Sequence, residues 1–124
     1  MPTRVLYIDA DQRARFEVAR YYSRRKYAKV DTAADQHDAL DKILENRYTL
    51  LVANYFGEYS LAFLALFTSR DGGMRAAVIS DNKNVRTEAR RNGVPNAPKN
   101  PVAKNLDIII KAHRSRKLKN LGIR

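Results

Sequence analysis

Short apolar, β-prone runs alternate along the chain with longer segments whose apolar positions recur at helical spacing. Residues 4–8 (RVLYI) read as a buried strand halted by Asp9-Ala10-Asp11. Asp11 stands where an N-cap belongs, ahead of a helix predicted from Gln12 to Lys26. Phe16, Ala19 and Tyr22 form its apolar side, and Arg13, Arg20 and Arg24 its polar side. Residues 28–32 alternate as a half-exposed strand, and Asp35 or Asp38 can cap a helix with Ala39, Leu40, Ile43 and Leu44 inward. Residues 49–53 make a third strand ending at Asn54. Leu61 to Phe67 is apolar nearly all round, which predicts a helix pressed between neighbours and broken at Gly72-Gly73. Residues 76–80 form a fourth strand, and Val85 with Ala89 marks a short helix ending at Gly93. A fifth strand should lie in VPNAPKNP, confined to an edge because Pro98 lacks a ladder donor. The last helix starts near Val102, with Leu106, Ile109, Ile110 and His113 on its core side and Lys104, Asp107 and Lys111 opposite.

Strands alternating with helices predict an α/β fold: a five-stranded parallel sheet with helices on both faces. The expected strand order is 2-1-3-4-5, the flavodoxin-like arrangement, whose ligand crevice lies beyond the carboxyl ends of strands one, three and four. Asp9, Asn54 and Ser80 end those strands. The 124 residues suffice for one domain, 44% of them apolar. No run approaches a membrane span, no secretory leader is apparent, and the absence of Cys excludes disulfides and thiolate chemistry. A cytoplasmic location is expected.

The formal charge of +11 is unevenly spread. Residues 1–60 carry 10 basic and 9 acidic side chains, whereas residues 61–124 carry 14 and 4. That polarity points to an anionic partner or to a basic surface kept soluble by repulsion.

The stretches VLYIDAD, VDTAADQHDALDKILENRYTLLVAN, AAVISDN and GVPNAPKNPV, in this order, resemble the receiver domain of two-component response regulators over residues 3–115. Residues 116–124 remain as a basic tail or linker. The resemblance implies a site in which an acid pair and a further Asp hold Mg²⁺. That Asp is phosphorylated, a hydroxyl contacts the phosphoryl group, and a Lys before Pro completes the pocket. Asp9 fits the first acid, but Ala10 occupies the second, and Asn54, whose amide is no nucleophile, replaces the phosphorylated Asp. Ser80 fits the hydroxyl position. Counting without gaps puts Asn100 at the Lys position, while a one-residue shift would put Lys99 there. The switching aromatic is replaced by Ala97, and Glu58 stands where a Pro is usual. Asp9, Asn54 and Ser80 can equally serve only to cap the turns that follow the strands.

This implies a degenerate, phosphorylation-independent pseudo-receiver acting as a protein-interaction module in signalling, with no catalytic residue, metal or cofactor. In receivers the fourth helix, fifth strand and fifth helix form the usual partner surface. The resemblance therefore places Arg86, Arg90, Arg91, Lys99, Lys104 and Lys111 near one face, with Glu88 and Asp107 as its only counter-charges. An acidic protein would be attracted there, and a homodimer through it disfavoured. The alternative is a nucleic-acid-associated regulator gripping phosphates, though no base-reading motif is present. His37 and His113 match no metal spacing, and His113 reads as a core histidine.

Overall fold

The computed structural model describes residues 2–54 and 74–123. Its strands are β1 (Thr3–Ile8), β2 (Ala28–Ala33), β3 (Leu50–Ala53), β4 (Arg75–Ile79) and β5 (Asn96–Ala97). They form one sheet in the order β2-β1-β3-β4-β5, with every pairing parallel. Its helices are α1 (Gln12–Tyr22), α2 (Gln36–Glu45), α3 (Lys83–Arg91) and α4 (Val102–Arg114). The expected helix at residues 61–67 and the glycine break lie outside the described residues. Among the latter, no helix is long and apolar enough to cross a membrane.

Two-residue alternation sends neighbouring side chains to opposite faces of the sheet. Val5, Tyr7, Leu50, Val52, Ala77 and Ile79 meet α1 and α4 on one side, where Val18, Leu106, Ile109 and Ile110 are fully buried. Leu6, Ile8, Leu51, Ala53 and Val78 meet Ala39 and Ala89 on the other. Each such Val, Leu or Ile side chain contributes roughly 1.5–3 kcal/mol by leaving water, and the continuous apolar runs reflect burial on both faces.

Several expected faces are corrected. Helix α1 ends at Tyr22, not Lys26, and buries Ala14, Val18 and Tyr22 while Phe16 and Ala19 face solvent. Ala14, Val18 and Tyr22 follow one another four residues apart, and the Tyr22 hydroxyl finds a buried partner that the Phe16 ring does not need. On α2, capped by Asp35, only Ala39 is buried and Ile43 partly so, and Leu40 and Leu44 are exposed. On α4, Asp107 is buried and not outward, because Tyr22, Tyr27 and Lys111 all donate to its carboxylate.

Beyond α4 the chain turns through Arg116 and a 3₁₀ turn, Leu118–Asn120. Leu118 is buried in the α1/α4 core. The Leu121 carbonyl accepts from the Asn96 amide at 3.1 Å, so these residues cover the outer edge of β5.

Candidate functional site

The three central strands end together, so their terminal residues share the crevice at the carboxyl edge of the sheet. The Asn54 amide donates to the Ile8 carbonyl at 2.8 Å, which fixes it beside Asp9, and the Ser80 amide donates to the Ala97 carbonyl at 3.0 Å, which joins the ends of β4 and β5. Asp9 is fully buried, and its carboxylate is the centre of the site. Oδ1 accepts from the Asp11 amide at 2.9 Å and from Asn54 Nδ2 at 3.2 Å. Oδ2 accepts from the Tyr7 hydroxyl and from Lys99 Nζ at 2.8 Å. A carboxylate offers about four acceptor positions, and four donors meet this one.

Lys99, rather than Asn100, therefore reaches the acidic residue. Its side chain is 12% exposed. Burial alone would lower its pKa, but the hydrogen bond and charge of Asp9, reinforced by Asp11 at 3.5 Å, raise it above the ordinary value. The ammonium thus stays charged. Burial, then the bond to Asp9, likewise pushes the Tyr7 phenol up, so that it remains a donor.

Asn100 is turned away. Its side-chain and backbone nitrogens both donate to Asp81, as does the Lys99 amide. Those bonds, the Asn100 backbone one foremost, lower the Asp81 pKa, and they fix the loop that aims Lys99 inward. Ser80 is buried, but its Oγ accepts from the Asn82 amide at 3.1 Å, a turn-capping use. Ala97 is buried and offers no ring to move. Ala10 is exposed at the rim. Asp11 Oδ1 is occupied by capping α1, accepting from Arg13 and Ala14 amides.

Two arginines close the strand ends from either side. Arg15 Nη1 donates to the Asp9 carbonyl and Arg86 Nη1 to the Ser80 carbonyl, each at 2.7 Å.

Several solved structures share this architecture. A CheY-like receiver domain from Methanospirillum hungatei JF-1 superposes with a TM-score of 0.75 at 16% identity, covering 94% of this chain and 97% of that one. A receiver domain from Clostridium thermocellum gives 0.73 at 16% identity, covering 93% and 96%. The fold is that of a response-regulator receiver domain. A chain from the complex of phosphorylated CheA3 P1 domain with CheY6 of R. sphaeroides gives 0.68 at 18% identity, covering 93% and 99%. No protein-family model matches the sequence, and no curated protein does.

The Mg²⁺ that the resemblance implies does not fit these residues. Mg²⁺ demands near-octahedral oxygen ligands and dehydrates reluctantly. Here the single buried carboxylate is occupied by four donors, a lysine ammonium lies 2.8 Å from one oxygen, and position 10 supplies only a methyl group. Among the described residues no three His, Asp or Glu side chains converge as metal ligands.

The six cations expected on one face are dispersed. Lys99 is in the crevice, and Arg86 is half-buried against Ser80. Arg90 donates through Nε to the Gly122 carbonyl at 2.8 Å, so the chain's own end occupies it. Lys111 pairs with Asp107 at 2.8 Å on the side facing α1. Arg91 and Lys104 stay exposed with no ion pair among the described residues.

Reading the sequence missed Tyr7, Arg15 and Asp81 as parts of the crevice. Tyr7 was detectable, since it lies two residues before Asp9 and so on the same side of the strand. His113 is half-buried, with Nε2 3.3 Å from Thr49 Oγ1, and burial followed by the charge of Arg75 lowers its pKa.

Proposed function

We propose that this chain is a pseudo-receiver, a regulatory protein-interaction module whose state is set by docking and not by phosphorylation. The observation that carries the reading is the filled carboxylate of Asp9, beside an Asn54 amide that cannot attack phosphorus. An active receiver needs that carboxylate open to a cation. Here Lys99 supplies the positive charge internally, so the strand ends are held in one state without metal or phosphoryl group. The module's work is recognition, not catalysis, since the described crevice residues are taken up by one another. Exposed Arg91 and Lys104 offer charge to an acidic partner surface, while the covered edge of β5 and the like charges beside it oppose a symmetric dimer. The CheY6 complex with a P1 domain supports recognition of proteins as a use to which this fold is suited.

The test is incubation of the full chain with Mg²⁺ and a small-molecule phosphodonor, followed by intact mass measurement. An unchanged mass is expected. An adduct of phosphoryl mass, mapped to the crevice, would overturn the proposal.

A further inference from the structure

The crevice occupies one end of the sheet, and the opposite end gathers a separate cluster of exposed cations. Helices α1 and α4 pack side by side and both finish there. Arg114 ties them to the sheet by donating to Thr3 Oγ1 at 2.9 Å and to the Tyr27 carbonyl at 2.6 Å. Arg25 donates to the Tyr21 carbonyl at 2.5 Å and stacks over its ring at 3.4 Å, and Lys111 and Arg114 lie over the Tyr27 ring at 5.9 and 5.6 Å. This pole therefore gathers Arg24, Arg25, Lys26, Lys111, Arg114 and Arg116, all exposed.

Among the described residues, the segments 21–29 and 107–117 hold one acid, Asp107, buried and already accepting from Tyr22, Tyr27 and Lys111. Each helix C-terminus adds about half a negative charge. Together with Asp107 they offset about two of the six cations. A surplus of about four remains on one compact surface, more than capping two helices requires.

We infer that this pole binds the phosphate backbone of nucleic acid. Three classes of partner would supply negative charge, and the surface separates them. Stable protein interfaces need an apolar, desolvated centre. None of the exposed large apolar side chains of the described residues, Phe16, Leu40, Leu44 and Ile108, lies in the segments 21–29 or 111–117. Tyr22 is buried, and the part-exposed Tyr21 and Tyr27 each have a cation within about 6 Å of the ring, so a protein partner or a lipid headgroup layer meets charge there and no apolar centre. A nucleic-acid backbone needs no such centre. Its contacts are polar and strongly cationic, and guanidinium forks match phosphate oxygens in pairs. Contacts to phosphates alone carry no sequence information, so binding is indifferent to sequence.

The proposal is tested on the full chain with a random-sequence duplex of about 20 base pairs, a length that spans several phosphates on each strand. Binding is followed by fluorescence anisotropy from about 50 to 200 mM salt, a range over which phosphate contacts weaken measurably. The logarithm of affinity should fall with that of salt at a slope of about −3 or steeper. Arg24→Glu with Lys26→Glu, at two exposed side chains, should reduce that slope by about 2 and weaken binding at least about fivefold. Arg91→Glu with Lys104→Glu makes the same charge change on the α3/α4 side and should cost far less. Amide shift mapping of the unmutated chain should place the contact at residues 24–29 and 111–117, which holds the test open if a variant folds poorly. Absent binding at low salt, equal loss in both variants, or shifts confined to residues 83–104 would overturn the proposal. So would binding to phosphatidylserine vesicles or polyglutamate where the duplex fails to bind.

Discussion

Asp9 shows how one side chain can gather the donors of a crevice. Its four donors come from the ends of β1 and β3 and from the loop before α4, so the carboxylate ties these segments of the crevice together. Breaking a buried ion pair by removing one partner strands the other charge, typically at about 3 kcal/mol. Lys99→Met should therefore lower stability by about that amount in urea denaturation, and adding Asp9→Asn should recover much of it, since no buried charge is then left unpaired. A single-variant loss below about 1 kcal/mol would show the pair to be incidental. His113 yields a second prediction. Burial and Arg75 hold its folded pKa below the ordinary 6.5, so the unfolded chain takes up the proton first as pH falls. Its contribution is complete above about 6.5 and is lost as pH falls through the lowered folded value. His113→Gln should flatten the decline in melting temperature between neutral pH and about pH 5, above the carboxylate range.

At the scale of elements, the strands and their order were legible because alternation and unbroken apolar runs each have one structural solution. Helix faces were less so. Along α1, the set Phe16, Ala19, Tyr22 and the set Ala14, Val18, Tyr22 both fit helical spacing, and only contacts distant in sequence choose between them. The choice falls to Asp107 on α4, 85 residues from Tyr22, and to Arg15, which reaches the carbonyl that ends β1. Asp107 itself looked outward because a carboxylate is normally exposed, and nothing local announces three donors arriving from elsewhere. Lys99 was ambiguous with Asn100 for a similar reason: Asp81, 18 residues earlier, holds the loop that turns the lysine inward. Residues 116–124 read as a basic tail or linker because their charges obscure Leu118 and Leu121. Its docking depends on Gly122, whose φ is +71° and where a Cβ would lie 2.5 Å from the Asn96 carbonyl oxygen. Gly122→Ala should cost about 1–2 kcal/mol through strain at positive φ. It should also speed hydrogen exchange at the Asn96 amide, whose partner is the Leu121 carbonyl. Unchanged exchange there would contradict the close packing described.

At the scale of the molecule, the two ends of the sheet have separate chemistry. The carboxyl end is self-contained: Asp9 with Lys99, Asp81 with Asn100, Arg15 and Arg86 on strand-end carbonyls. The amino end carries exposed cations whose counter-charge is buried. On the proposed reading, this receiver fold retains its scaffold while the residues at the phosphorylation-site positions serve its internal packing. The most direct test is an amide NMR titration of the unmutated chain with Mg²⁺ and fluoroberyllate, a mimic of a bound phosphoryl group. The account predicts no saturable shift at Asp9, Ala10, Asp11, Asn54 or Ser80 at millimolar ligand. A saturable shift confined to those residues would mean that the Asp9 carboxylate can release its own donors, and would contradict the account.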